Sequence, residues 1–301
     1  MNARLAVVTV TYSPGEHLTD LIRSLPSATT RDTRLVMADN GSTDGAPEAA
    51  AQDFDFVELL RTGGNLGYGT AINRAVGEIV SRPDDFADDF VLVVNPDVEF
   101  GRGSVDALMD AAQRWPRAAA FGPQINDPDG TGYPSARALP NIRDGIGHAL
   151  LGRLWPANPF SARYHADGDT STERVAGWLS GACLLLRRDA FEAVGRFDEN
   201  YFMYFEDVDL GDRLSRAGWQ SVYVPGAVIT HDRGHVATAV PEFTLRAHHR
   251  SAYRYLADRH TGLRWAPLRA VLRVGLAARC RLEIRAAERA LAARDSRSST
   301  P

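Results

Sequence analysis

The sequence predicts an α/β fold in which a mostly parallel central sheet is flanked by helices and followed by a C-terminal helical extension. Three observations predict it. Apolar runs at residues 5–12, 35–38 and 56–60 alternate with segments of helical spacing. These runs close in turn formers, Ser13-Pro14-Gly15, then 39–45, then 63–69, and so deliver polar groups to one sheet edge. A fourth run, Val91-Leu92-Val93-Val94, reads as a strand buried on both faces and is stopped by Asn95-Pro96, because proline has no N–H to donate. Asp97 therefore stands just past a strand's carboxyl end. Open α/β sheets bind ligands at that edge, and a carboxylate there can hold a metal ion against a diphosphate.

Taken in order, the first strand leads to a helix carrying Leu18, Leu21, Ile22 and Leu25, a βα unit. The third strand leads through Gly63-Gly64-Asn65-Leu66-Gly67-Tyr68-Gly69 into a helix with Ala71, Ile72, Ala75, Val76 and Ile79. That loop fails the G-x-G-x-x-G dinucleotide fingerprint in both spacing and position, so its small residues are read as letting a nucleotide or sugar approach the backbone. A helix is expected at 104–115, a short strand near 119–121 and a turn at Asp127-Pro128-Asp129-Gly130. Residues 139–172 read as an irregular insertion over the acceptor side. The run 175–188 ends in an apolar strand, and Asp189 opens a short helix closed by Gly195. After the aromatic run 201–205, three carboxylates, Glu206, Asp207 and Asp209, begin a helix that runs to Gly218; a strand at 220–224 and Pro225 follow, then His231.

Composition narrows the chemistry. All 34 basic residues are arginine, which excludes mechanisms that need a lysine Schiff base or a P-loop lysine. The net charge of −4 conceals a basic tail: residues 246–301 hold 13 Arg against 4 acids, leaving 21 Arg against 34 acids elsewhere. An anionic partner or a solvated helical face would account for it. Cys183 and Cys280 lie far apart and imply neither a disulfide framework nor a cysteine zinc site, so a reducing cytoplasm fits best. The apolar runs 5–10 and 182–186 are too short to span a membrane or to serve as a secretion signal.

Several motifs together resemble the inverting family 2 glycosyltransferases: 8–12, Asp39-Asn40-Gly41-Ser42-Thr43-Asp44-Gly45, Gly64–Gly69 with Asn73, Asn95-Pro96-Asp97, Phe205-Glu206-Asp207-Val208-Asp209 and His231. The resemblance covers about residues 4–235 and implies a GT-A fold, a Rossmann-like catalytic domain over 1–240, with 241–301 a basic amphipathic helical region ending in a polar tail. Within the family, 133–137, 177–181 and 201–204 are most similar to the rhamnosyltransferases of actinobacterial cell-wall linker assembly. That likeness implies a dTDP-rhamnose donor and a polyprenyl-diphosphate N-acetylglucosamine acceptor. A UDP-sugar such as UDP-galactofuranose is the alternative donor, and a non-catalytic sugar-nucleotide-binding module the alternative of another class. One departure is that the family's Asp-x-Asp is Asn95-Pro96-Asp97 here, leaving Asp97 as its single charged ligand.

Glycosyl transfer from a sugar nucleotide needs charge neutralisation of the leaving diphosphate and a base for the attacking hydroxyl. Asp97 with Mg²⁺ or Mn²⁺ meets the first need, and the resemblance implies His231 as a nitrogen ligand, a structural histidine being the alternative. Asp207 is the expected base and Glu206 its competitor, in an aromatic setting able to lift a carboxylate's pKa; Asp209 caps or orients. Asp39 suits the N3–H of thymine or uracil, with Thr11 and Tyr12 bordering the base, Asn95 beside the nucleotide-sugar, and Asn65, Gly67 and Tyr68 toward the ribose-phosphate. Trp178 offers a face to an acceptor sugar or to the core, and Arg137 meets phosphate or a surface acid. Helices at 243–259 and 263–294 interleave Trp265, Leu268, Leu272, Leu276, Leu282 and Ile284 with arginines, as for a membrane interface or for packing on the catalytic domain. The expected location is cytoplasmic and peripheral on the inner face of the membrane, with no nucleic-acid partner and with self-association to a homo-oligomer left open.

Overall fold

The computed structural model describes residues 4–82, 89–140, 170–232 and 241–298. It divides into two compact units, Met1–Asn200 with Glu206–Asp232, and Tyr201–Phe205 with Arg233–Pro301.

The larger unit runs β1 (Leu5–Thr11), α1 (His17–Ala28), β2 (Thr33–Asp39), α2 (Ala46–Asp53), β3 (Val57–Arg61), α3 (Tyr68–Val80), β4 (Phe90–Val94) and β5 (Val98–Phe100). It continues with α4 (Ser104–Arg114), β6 (Ala118–Asn126), β7 (Gly132–Tyr133), β8 (Ala136–Arg137), β9 (Arg174–Ala176) and β10 (Trp178–Leu179). Last come β11 (Cys183–Arg187), α5 (Arg188–Ala193), α6 (Glu206–Arg216) and β12 (Gln220–His231). The main sheet has the order β3-β2-β1-β4-β11-β6-β12-β5, with β7 on β6 and β9 on β12, while β8 and β10 form a separate two-stranded ribbon. Strands β3, β2, β1 and β4 are parallel; β11 lies antiparallel between β4 and β6.

Strand alternation explains why this sheet is buried on both faces. Leu5, Val7, Leu35, Met37, Leu92 and Val94 join one core with Leu18, Leu21, Ile22 and Leu25 of α1 and Val105 and Leu108 of α4. Ala6, Val8, Val36, Val91 and Val93 join the other with Ala71, Ile72, Ala75 and Val76 of α3 and Leu210 and Leu214 of α6.

Two expectations are corrected. The short strand near 119–121 extends to nine residues because β7 and β12 both pair with it. The strand read at 220–224 does not end at Pro225 but runs on to His231, with a register shift between Val224 and Val228 that absorbs the residue lacking an N–H. Most of the insertion expected at 139–172 lies outside the described residues.

In the smaller unit, α7 (Pro241–Arg259) and α8 (Ala266–Ser298) pack together after a short 3₁₀ turn at Leu263–Trp265. Tyr255, Cys280 and Ile284 are buried, and His249 Nε2 stands 3.5 Å from Glu283. The segment 201–205 is held on α7 through Ser251 Oγ, which donates to Met203 O at 2.9 Å, and through Phe202 on Phe243 and Phe205 on Tyr255. The apolar residues of α8 divide between two faces. Leu268, Leu272, Leu276, Cys280 and Ile284 recur at helical spacing on the half-buried to buried side. Val271, Val274 and Leu282 are 68%, 69% and 64% exposed on the other. Among the described residues no helix is long and apolar enough to cross a membrane.

Candidate active site

The parallel register brings Thr11, Asp39 and Arg61 side by side at the carboxyl edge of β1, β2 and β3. Asp39 is only 2% exposed. Its Oδ1 accepts from Thr11 Oγ1 at 2.9 Å, from Ser42 N at 3.1 Å and from Ser42 Oγ at 2.5 Å. With one oxygen engaged by three donors, Oδ2 keeps its capacity and has Arg61 Nη1 at 3.9 Å. The carboxylate is thus anchored by one atom and able to accept an N–H with the other. Tyr12 stands exposed beside it. Sequence reasoning had seen Ser42 only as part of a motif; its place three residues after Asp39 is the signal, since such a serine closes a turn back onto the carboxylate.

The glycine loop is organised by Asn40, whose Nδ2 donates to Gly67 O at 3.1 Å and whose Oδ1 accepts from Thr62 Oγ1 at 2.9 Å. Asn65 Oδ1 accepts from Gly67 N at 3.2 Å. Gly67 has φ +83°, a conformation that L side chains avoid, and it caps α3. Asn73, on α3, is committed to the fold: its amide donates to Phe197 O at 2.8 Å and accepts from Phe197 N at 3.0 Å. The ring of Tyr68 packs edge-on against Phe197, and its hydroxyl donates to Gly181 O at 2.6 Å.

Glu206 and Asp207 open α6, where the helix dipole favours acids. Asp207 Oδ2 accepts the Gly181 N–H at 3.0 Å and Oδ1 the Val208 N–H at 2.8 Å. Burial raises the Asp207 pKa, while these amides, its own N–H and the charge of Arg137 pull it back. Glu206 is buried, its Oε2 without a hydrogen-bond partner among the described residues, and burial, then the neighbouring Asp207, push its pKa to about 8. Asp209 has a different task. Arg213 Nε donates to it at 2.6 Å, and Arg213 Nη1 donates to Val194 O at 2.7 Å, which ties α6 to the end of α5.

The Ser180–Ala182 stretch joins these acids to the other carboxylate, because Asn95 N donates to Ala182 O at 2.9 Å. Asp97 follows in the turn between β4 and β5, and β12 pairs with β5 so that His231 lies across from Val98. His231 Nε2 stands 3.1 Å from Asp97 Oδ1 and 3.3 Å from Asn95 Nδ2, while its buried Nδ1 has no hydrogen-bond partner among the described residues. Among the described residues no three His, Cys, Asp or Glu side chains gather as a complete metal site. A pair is nevertheless a workable half-site for Mg²⁺ or Mn²⁺, which keep water and phosphate oxygens in the other positions.

The β8–β10 ribbon sets Arg137 opposite Trp178. The guanidinium lies 5.7 Å from the Trp178 ring and 5.3 Å from the Tyr133 ring, and Trp178 Nε1 donates to Ala138 O at 3.1 Å. Trp178 sits directly on α6: a Cβ on Gly211 would meet Gly177 O at 2.7 Å and Trp178 Cβ at 2.8 Å. Gly211 is one helical turn beyond Asp207, so the arginine–tryptophan pair borders the face from which Asp207 projects. The sequence reading missed Gly211; a glycine inside a helix was its signal. Thr11, Tyr12, Asp39 and Asn95 thus share the carboxyl edge of the main sheet with Asp97 just beyond it, while Glu206 and Asp207 begin α6 and Trp178 and Arg137 lie on the separate β8–β10 ribbon.

Comparison with known proteins gives the family and the fold. The model of "Glycosyl transferase family 2" matches residues 6–195, and that of "Glycosyltransferase like family 2" matches 160–254. N-acetylglucosaminyl-diphospho-decaprenol L-rhamnosyltransferase of Mycobacterium tuberculosis is 54% identical over 95% of this chain and 94% of its own. Rhamnosyltransferase WbbL of Escherichia coli is 29% identical over 65% of this chain and 72% of its own. Among solved structures, a mannosyltransferase of Pyrobaculum calidifontis in complex with GDP-Man and Mn²⁺ superposes with a TM-score of 0.56 at 15% identity, covering 100% of this chain and 77% of that one. GalNAc-T7 with UDP, GalNAc and Mn²⁺ gives a TM-score of 0.54 at 14% identity over 82% and 47% of the two chains. At such identities the likeness is one of fold.

Proposed function

The chain belongs to glycosyltransferase family 2 and has the GT-A fold, and from that premise we propose that it moves L-rhamnose from dTDP-rhamnose to polyprenyl-diphosphate-linked N-acetylglucosamine, with inversion. What supports the reaction type is the Ser180–Ala182 stretch, whose Gly181 N–H donates to Asp207 and whose Ala182 O accepts from Asn95 N; in this reading it holds a base beside the leaving-group site. The sugar and acceptor rest on the 54% identity to the mycobacterial enzyme.

In this reading Asp207 accepts the proton of the acceptor hydroxyl, whose oxygen bonds to the sugar's anomeric carbon as the bond from that carbon to the phosphate oxygen breaks on the opposite face, releasing dTDP. Asp207 is preferred to Glu206 for a physical reason. Its oxygens receive backbone N–H bonds that favour the anion, whereas Glu206, raised to about 8, holds its proton at neutral pH and adds no second charge. A divalent cation held by Asp97 and His231 would neutralise the departing diphosphate. Asp39 Oδ2 accepts the base's N3–H with Thr11 and Tyr12 at its border, and Asn65, Gly67 and Asn95 line the sugar-phosphate path. Trp178 receives the N-acetylglucosamine ring, and Arg137 the acceptor diphosphate.

Residues 1–240 form the catalytic domain of this proposal and 241–301 its membrane-facing region. Supporting the second part are 13 arginines against 4 acids in residues 246–301 and the exposed Val271, Val274 and Leu282. The protein then works on the cytoplasmic surface of the membrane that carries its lipid acceptor.

The deciding experiment is a transfer assay with Mg²⁺ or Mn²⁺ and a short-prenyl diphosphate N-acetylglucosamine acceptor, comparing dTDP-rhamnose with UDP-sugars. Transfer from dTDP-rhamnose that Asp207→Asn lowers by about 10²-fold or more is expected. Turnover with a UDP-sugar alone would retain the mechanism and discard rhamnose.

A further inference from the structure

Gly181 is a joint between two anchored residues. Before it, Ser180 N donates to Ser135 O at 2.7 Å; after it, Ala182 O accepts from Asn95 N at 2.9 Å. A glycine between fixed points has more backbone freedom than any other residue, so its orientation must come from its own hydrogen bonds. It has two: its carbonyl receives the Tyr68 hydroxyl at 2.6 Å, and its N–H goes to Asp207 Oδ2 at 3.0 Å. A Cβ built at Gly181 would meet Asp207 Cβ at 3.5 Å and Asp207 Oδ2 and Tyr68 Cε1 at 3.6 Å, all ordinary contact distances.

We propose that Tyr68 is a positioning residue for the transfer step: its hydroxyl locks Gly181, and Gly181 in turn aims and holds ionised the carboxylate of Asp207. This deepens the proposed function and rests on Asp207 being the base. The phenol is suited to the task because it remains a donor at any working pH. Burial, and then the nearby Glu206, Asp207, Cys183 and Asp97, push its pKa well above the usual phenol value. The Tyr68 ring meets Phe197 edge-on, a contact that phenylalanine would preserve, so the hydroxyl can be removed alone.

The test is Tyr68→Phe in the full-length protein, assayed with dTDP-rhamnose, Mn²⁺ and the short-prenyl acceptor, alone and combined with Asp207→Asn. Tyr68→Phe should lower kcat about five- to tenfold, the worth of one hydrogen bond, with the donor KM unchanged within about twofold. Asp207, which also faces Glu206 and Arg137, would lose an aligned N–H, so its pKa rises and the acid limb of the kcat profile moves up by about half a pH unit to one unit. In the Asp207→Asn background the same change should cost nothing further. Thermal melting and dTDP affinity are read alongside, and both should stay near wild type. A raised donor KM with kcat intact would make Tyr68 a donor ligand and overturn the proposal, as would an unmoved acid limb or a fall in kcat matched only by a lower melting temperature. Full activity in Asp207→Asn would reject the base assignment itself and the Tyr68 role with it, an outcome visible in that variant alone.

Discussion

His231 Nε2 meets Asp97 Oδ1 at 3.1 Å although 134 residues separate them in the chain. The contact exists because β12 continues past Pro225 to pair with β5, which begins one residue after Asp97. If the pair is a half-site for a divalent ion, His231→Ala should raise the Mn²⁺ concentration for half-maximal transfer about tenfold or more, and Asp97→Ala should remove the metal response. An unchanged metal requirement in His231→Ala would return that imidazole to a structural role.

Glu206 makes stability depend on pH. Its pKa, about 8 in the folded chain against the ordinary carboxylate value of 4.5, is raised, so the native state binds the extra proton. The stability this confers is present below the unfolded value and is lost as pH rises through about 8. Melting temperature should therefore fall between about pH 5 and pH 8.5 more steeply in the wild type than in Glu206→Gln, whose side chain cannot ionise. Parallel curves for the two proteins would contradict an unpaired buried acid.

Gly211 should tolerate no side chain. A Cβ there meets Gly177 O at 2.7 Å and Trp178 Cβ at 2.8 Å, and neither is the end of a flexible chain. Gly211→Ala is expected to destabilise by about 1–3 kcal/mol in urea unfolding, despite alanine's better helix propensity. Because Trp178 is the group displaced, the acceptor KM should rise more than the donor KM.

The exposed side of α8 should bind lipid. Val271, Val274 and Leu282 share that side with Arg281 and Arg285. Replacing the three apolar residues with Asp should cut sedimentation with anionic vesicles about tenfold or more, while zwitterionic vesicles bind the wild type weakly. Salt should weaken the wild-type interaction as charges are screened. Equal binding by the variant would assign these residues to something other than a membrane.

How far the sequence reaches can be judged element by element. The first four strands and helices α1, α3 and α4 were legible because two-residue and 3.6-residue periodicities are local, and Pro14, Gly67 and Pro96 mark their ends, whereas the short, alanine-rich α2 carried no such mark. Asp39 and Asp97 were legible for a related reason, since chemistry-bearing side chains collect in the loops that follow strands, and Asp207 because acids gather at a helix start. Pro225 misled because a proline usually closes a strand, and only the pairing with β6 and β5 beyond it shows that β12 bulges and continues.

By itself, then, the sequence determined an α/β sheet with carboxylates at its ligand-binding edge, since burial pattern and turn chemistry are written in neighbouring residues. Tertiary structure alone decided that β11 lies antiparallel between β4 and β6, that His231 reaches Asp97, that Gly181 is gripped by Tyr68 and Asp207, and that Gly211 admits Trp178. Each of these depends on strand pairing or close backbone approach between distant segments, and such contacts leave no periodic mark on the chain.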